Sequence, residues 1–277
     1  MLKENMHIAV PTSFNNDESL NTKNTINHIK KIHEKGVNSV LISGSTGEQH
    51  SLSLNEKIKI IDDLEKEDHL MENMEIIFGI SSIRQKEAEE LAKHLKNTRV
   101  SAIMLGYSPY IIPSQDEAIT YTESIISIAE KPTILYNNPK RTGFDLSSKA
   151  ILKLAENNLV IGVKDAGEKD KVEKIKNRIT KKSFYFYAGG EINLKTKIEN
   201  GYNRLSSIAG NIYPKEINRW FNNLLANKNL NSQEEQEIEY ILNKIYSGNA
   251  ILNIKNISNQ TNEPLGKCRR PIGNITQ

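Results

Sequence analysis

A lysine that closes an apolar strand can act as a nucleophile, and this chain carries one in Leu159-Val160-Ile161-Gly162-Val163-Lys164. The run is rich in β-branched residues and reads as a buried strand of a parallel sheet, with Lys164 at its carboxyl end ahead of the polar stretch Asp165 to Glu168. An ammonium held against apolar walls is poorly solvated. Its pKa falls, and part of it becomes the free amine that attacks a ketone to form a Schiff base. A lysine in such a place is ordinarily a solvated strand end, so support must come from other strand ends. Val40-Leu41-Ile42 runs into Ser43-Gly44-Ser45-Thr46-Gly47-Glu48, where two glycines bracket two hydroxyls. Backbone N–H groups and hydroxyls can turn there toward one anion, and a carboxylate would be held by neutral donors. The same residues also suit a tight turn whose hydroxyls satisfy loop amides, and the segment lacks the lysine of a phosphate-binding loop. Thr133-Ile134-Leu135 ends in Tyr136, followed by Asn137-Asn138-Pro139-Lys140-Arg141-Thr142-Gly143. A phenol at a strand end can shuttle protons or simply pack, and an arginine a few residues on can grip a second carboxylate bidentately.

The elements that must position these residues alternate along the chain. Strands are expected at His7 to Val10, Ser39 to Ile42, Glu75 to Phe78, Ala102 to Leu105, Thr133 to Tyr136, Leu159 to Val163, Phe184 to Tyr187 and Leu205 to Ile208. Helices are expected between and after them at Asn21 to Lys35, Leu54 to Glu65, Arg84 to Leu95, Asp116 to Ala129, Ser147 to Ala155, Lys169 to Ile179, Leu194 to Ile198 and Pro214 to Leu225. Eight strand–helix pairs over about 220 residues predict an α/β fold, a (β/α)8 TIM barrel, in which all strand ends share one face. Residues 1–228 are assigned to this catalytic barrel. Residues 229–277 are assigned to a C-terminal helical extension packed on it within the same domain, with a helix at Ser232 to Tyr246 and a less regular tail through Gly266 to Gln277.

Composition agrees with a small-molecule role. The formal charge of +3 over 277 residues is spread along the helices rather than gathered in a basic block, so nucleic acid is not an expected partner. The single cysteine, Cys268, excludes an internal disulfide, and no apolar run approaches the roughly 20 residues of a membrane span. Met1 to Met6 lead straight into the first strand, so no signal peptide and no membrane association are expected, and the setting is cytoplasmic. His28 and His33 are five apart with no third ligand in view, so no metal site is expected, and no dinucleotide fingerprint appears.

The three strand-end motifs at 44–48, 136–143 and 162–165, in this order, resemble those of the dihydrodipicolinate synthase and N-acetylneuraminate lyase family of pyruvate-dependent class I aldolases. The resemblance runs from about His7 to about Thr276. It implies that Lys164 forms an imine with the keto carbon of pyruvate, so that no separate cofactor is needed, and that Tyr136 is the proton donor and acceptor. It further implies that Ser45 links Tyr136 into a relay and that Thr46, with neighbouring amides such as that of Gly44, holds the pyruvate carboxylate. Arg141 would meet a carboxylate on the aldehyde, and the backbone at Ser206 would close the pocket. A homotetramer or homodimer, with the Tyr107 to Pro113 loop at the dimer contact, is implied as well.

The chain also departs from the family pattern. Arg141-Thr142-Gly143 is the synthase form, whereas Ser45 is the lyase-like choice. Ile111 replaces the tyrosine by which relatives reach a neighbouring subunit's site, and Gly190 stands where synthases commonly carry aspartate. The expected activity is condensation of pyruvate with aspartate semialdehyde. The alternatives are an N-acetylneuraminate lyase or 2-keto-3-deoxy sugar-acid aldolase, and a catalytically idle relative that binds pyruvate-like metabolites.

Overall fold

A computed structural model of the chain describes residues 2–168, 170–261 and 264–273. Among these residues, eight strands close into a barrel in sequence order: β1 (Met6–Ala9), β2 (Ser39–Ile42), β3 (Glu75–Ile80), β4 (Ala102–Gly106), β5 (Thr133–Asn137), β6 (Val160–Asp165), β7 (Tyr185–Gly189) and β8 (Arg204–Ser207). Every neighbouring pair is parallel, as continuous apolar runs covered on both faces require. The expected (β/α)8 barrel is therefore what the chain forms.

Twelve α-helices are present among the described residues: α1 (Thr22–Glu34), α2 (Leu54–Leu64), α3 (Asp68–Asn73), α4 (Gln85–Lys96), α5 (Gln115–Ala129), α6 (Pro139–Thr142), α7 (Ser148–Ala155), α8 (Lys171–Ile175), α9 (Leu194–Glu199), α10 (Pro214–Leu225), α11 (Ser232–Tyr246) and α12 (Ala250–Ser258). Local chemistry sets several of the starts. Ser53 caps α2 and Ser114 caps α5, each in a reciprocal box with the glutamate three residues on, and Asn231 with Glu234 does the same for α11. Each long helix then buries one stripe, such as Ile60, Ile61 and Leu64 of α2 or Ile238, Ile241 and Ile245 of α11. Fully burying each of those isoleucines contributes about 1.5–3 kcal/mol, which fastens α11 to the barrel wall.

Two departures from the expected elements have local causes. A helix expected over 169–179 is only Lys171–Ile175, burying Val172 and Ile175, and then tightens into a 3-10 turn over the polar run Lys176–Arg178 before Ile179 packs partly buried against the core; Lys169 lies outside the described residues. The tail expected to be irregular after Tyr246 instead forms α12, capped by the Asn249 side chain and burying Ile254, Lys255 and Ser258. Residues 262, 263 and 274–277 of that segment lie outside the described residues.

Strand register places the chemistry. Tyr136 on β5 pairs with Lys164 on β6, and Lys164 pairs with Tyr187 on β7, so these three stand side by side at one level. Gly189 of β7 pairs with Ser206 of β8, and Ser206 with His7 of β1. Between β5 and β6 the register shifts, with Thr133 against Val160 but Ile134 against Gly162. That one extra residue resets the alternation of side chains and brings Lys164 onto the same face as Tyr136.

Candidate active site

At the carboxyl ends of the strands a cavity of about 610 Å³ is lined by Gly44, Ser45, Tyr136, Arg141 and Lys164, five of the seven residues singled out in the sequence. Thr46 is buried at 6% exposure and is not part of this lining. Ser206 is outside this lining as well and meets Lys164 through its hydroxyl, while its backbone carbonyl accepts from the Gly190 amide. A larger groove of about 820 Å³ between α9, α10 and α11 holds none of these groups.

Lys164 is 9% exposed, and its Nζ donates to Ser206 Oγ at 2.9 Å and lies 4.8 Å from the Tyr136 ring centroid. Among the described residues no carboxylate forms an ion pair with it. Burial pushes its pKa below the ordinary lysine value; charge on the Tyr136 oxygen works against that, and Arg141 works with it. Gly189 makes room for the lysine stem: a Cβ there would stand 3.1 Å from Lys164 Cε.

Tyr136 accepts a hydrogen bond from Asn138 Nδ2 at 2.7 Å, and its oxygen lies 3.4 Å from Ser45 Oγ, longer than a usual hydroxyl bond. Burial alone would raise its pKa, but the Lys164 charge, the contacts with Ser45 and Asn138, and Arg141 outweigh it, so the phenol sits below its ordinary value. An amine made less basic beside a phenol made more acidic can exchange a proton in either direction, as acid–base chemistry at a carbonyl requires.

The turn after β2 is held in an uncommon conformation. Ser43 and Glu48 adopt positive φ of 54° and 53°, and Ser43 can fold this way because Gly79 has no side chain: a Cβ there would lie 2.1 Å from the Ser43 carbonyl oxygen. Neither the Ser45 nor the Thr46 amide donates to an acceptor among the described residues, and the buried Ser43 hydroxyl likewise finds no partner among them. The turn thus keeps neutral donors without partners among the described residues, and its Ser43, Gly44 and Ser45 line the cavity. Arg141, exposed on α6, presents a guanidinium to the mouth.

The exposed end of the site is apolar. Tyr110, at φ 76°, is 85% exposed, and Ile111 and Ile112 are 87% and 58% exposed. Tyr107 is buried with its hydroxyl bonded to Thr122 Oγ1 at 3.1 Å, and burial drives its pKa up. Of the residues that shape the site, Asn138, Ser43 and Gly79 were not singled out by sequence. Asn138 carried the one usable signal, an amide two residues after the strand-end tyrosine.

Comparison with known proteins places this architecture in context. The family model described as the dihydrodipicolinate synthetase family matches residues 3–277. A 4-hydroxy-tetrahydrodipicolinate synthase of Methanococcoides burtonii is 26% identical over 97% of this chain and 91% of its own length. Among solved structures, the sialic acid aldolase of Ruminococcus gnavus aligns with a TM-score of 0.86 at 20% identity, over 96% of this chain and 89% of that one. A prophage protein of E. coli K12 belonging to the dihydrodipicolinic acid synthase family, solved in complex with pyruvate, aligns at 0.82 with 22% identity, over 96% and 91%. At those identities the structural likeness establishes the shared fold.

Proposed function

The chain belongs to the dihydrodipicolinate synthetase family, and from that premise we propose that Lys164 forms an imine with pyruvate and that the enzyme condenses the resulting enamine with aspartate semialdehyde. The observation that carries this reading is the buried Lys164 amine between Ser206 and Tyr136, without a carboxylate partner among the described residues, on a cavity that the Ser43 to Ser45 turn and Arg141 also line. In this reading the free amine adds to C2 of pyruvate, and Tyr136 passes a proton to the carbinolamine oxygen, which leaves as water. The Tyr136 phenolate left by that step takes a C3 proton, giving the enamine, C3 bonds to the aldehyde carbon, and Tyr136 passes its proton on to the new alkoxide. The amino group of the former semialdehyde then displaces Lys164 by attack on the imine carbon, closing the ring and freeing the lysine. No further cofactor is required.

Gly44, Ser45 and Thr46 are assigned to the pyruvate carboxylate and Arg141 to the carboxylate of the aldehyde, for which a guanidinium fork is suited. Asn138 joins Ser45 as a partner that holds the Tyr136 oxygen. Ile111 offers no proton and the Tyr107 hydroxyl is bonded to Thr122, so the relay is assigned to Tyr136, Ser45 and Asn138. We assign the exposed patch of Ile83, Tyr110, Ile111 and Ile112 to a contact between two copies within a homotetramer or homodimer. A cytoplasmic place in lysine or diaminopimelate biosynthesis follows from the proposed reaction; among the described residues no helix is long and apolar enough to cross a membrane.

The test is borohydride reduction in the presence of pyruvate, which is expected to leave a pyruvyl adduct on Lys164, followed by condensation with aspartate semialdehyde. Arg141→Leu is expected to raise KM for the semialdehyde about tenfold or more while leaving KM for pyruvate nearly unchanged. Cleavage of a 2-keto sugar acid that is indifferent to Arg141→Leu, with no turnover of the semialdehyde, would replace the synthase reading by the aldolase one.

A further inference from the structure

Two glutamates with 0% exposure, Glu48 and Glu191, do not line the cavity; Glu48 ends the turn that does, and Glu191 follows the strand that pairs with Lys164. Glu48 ends the anion-facing turn. Its Oε1 accepts from Lys255 Nζ at 2.6 Å and its Oε2 from the Arg269 amide at 2.9 Å. Glu191 follows β7 and accepts from Ser207 Oγ at 2.5 Å, from the Ile208 and Ala209 amides at 3.1 and 3.2 Å, and from the Tyr246 hydroxyl. Lys255, Arg269 and Tyr246 all come from the segment that follows the barrel.

Isolated carboxylates are expensive to bury, so each glutamate stays inside only while its donors do. The consequence for Glu48 is specific, because the two backbone bonds that close the turn start at its end: the Glu48 amide donates to Ser45 O at 3.1 Å and the Gln49 amide to Gly44 O at 3.3 Å. A Glu48 drawn toward water pulls on both. On the other side, Gly190 adopts φ +80° with Tyr246 Oη 2.8 Å from where its Cβ would be, so the Tyr246 hydroxyl is packed directly on the backbone that follows Gly189, beside Lys164 and Ser206.

We infer that the C-terminal segment is a positioning device for the site, with Lys255 setting the carboxylate-binding turn through Glu48 and Tyr246 setting the Lys164–Ser206 pair through Glu191. The inference rests on the reading that pyruvate binds at this turn and reacts with Lys164. The two anchors therefore act on different parameters. Loss of Lys255 weakens pyruvate binding, and loss of the Tyr246 hydroxyl slows imine formation.

The experiment is borohydride trapping of labelled pyruvate on Lys164 as a function of pyruvate concentration, well below the melting temperature of each variant. Lys255→Met is expected to raise the half-saturating pyruvate concentration about tenfold with the maximal trapped fraction kept within about twofold, and adding Glu48→Gln to it recovers most of that loss. Tyr246→Phe is expected to lower the trapping rate several-fold at unchanged half-saturation. A purely structural role would lower the melting temperature and move neither parameter. Half-saturation within about twofold of the unsubstituted protein in Lys255→Met, or the same parameter moving in both variants, overturns the inference. Should Lys255→Met fail to fold, Lys255→Arg keeps the charge while displacing its contact, and a smaller rise in half-saturation is expected; no rise overturns the inference equally. Absence of any adduct in the unsubstituted protein refutes the pyruvate reading itself. Hydrogen exchange then decides whether Lys255 holds the turn: the Glu48 and Gln49 amides are expected to exchange about tenfold faster in Lys255→Met, and unchanged exchange overturns that too.

Discussion

Lys164 and Lys255 are both buried, at 9% and 1% exposure, and both set their ammonium near an aromatic ring, 4.8 Å from the Tyr136 centroid and 4.7 Å from that of Phe14. What separates them is the anion. Lys255 meets the Glu48 carboxylate at 2.6 Å and the Lys267 carbonyl at 3.0 Å, whereas among the described residues Lys164 donates to a hydroxyl and to no carboxylate. A buried cation with a carboxylate is a fastening; the same cation offered only a hydroxyl and a ring face gives up its proton more readily and becomes a reagent. The fold thus buries these two lysines in different company, one beside a carboxylate and one beside a hydroxyl and a ring face.

The strongest way to break this comparison is to remove both charges with the same substitution. Lys164→Met is expected to abolish the pyruvyl adduct and reduce turnover by about 10⁴-fold or more, yet to leave urea-unfolding stability unchanged or higher, since it deletes an amine whose burial is uncompensated. A loss of stability comparable with that of Lys255→Met would show that the two lysines are alike.

Next in size, Lys255→Met is expected to cost about 3–5 kcal/mol in a urea titration, because it strands Glu48 without its partner. The double variant Glu48→Gln/Lys255→Met should cost clearly less, and an equal cost would mean that the stranded carboxylate is not the source of the loss.

The smallest effect is in pH dependence. The folded pKa of Lys164 lies below the roughly 10.4 of a free lysine. Between the two values the unfolded chain binds a proton that the folded chain does not, so stability rises with pH across that window, by at most about 1.4 kcal/mol per pH unit. Lys57, pushed down to about 8 by burial, adds a rise of the same sign. The measurement is therefore the difference between the unsubstituted protein and Lys164→Met, whose stability should climb less steeply up to about pH 10. Identical slopes would place the Lys164 pKa at its ordinary value.

The two lysines also differ in how readable they are. Lys164 announces itself locally, at the end of an apolar run, as do Tyr136 and the Gly44–Glu48 turn, because strand ends in an alternating chain converge by topology alone. The barrel itself was legible for the same reason: each strand and helix is signalled within a few residues. Lys255 carried no such mark. Its partner lies 207 positions away, and nothing near Asn249 to Ser258 distinguishes a buried fastening from a surface lysine. The helix around it went unread because asparagines interrupt the apolar spacing of Ile251, Ile254 and Ile257; the Asn249 cap, bonded to the Ile251 and Leu252 amides, was the missed signal. Thr46, expected by resemblance to hold the pyruvate carboxylate, stands in a turn shaped by the positive φ of Ser43 and Glu48, which a sequence does not display.

The pairing of Glu48 with Lys255 also carries a timetable. On a ribosome the first member appears early and the second only after all eight strands have been made, the last of them ending at Ser207. At about 5–20 residues per second, several seconds separate completion of the final strand from delivery of Lys255 and then Arg269. For that interval the nascent chain can hold every residue assigned to chemistry while the turn at Glu48 is still unfastened.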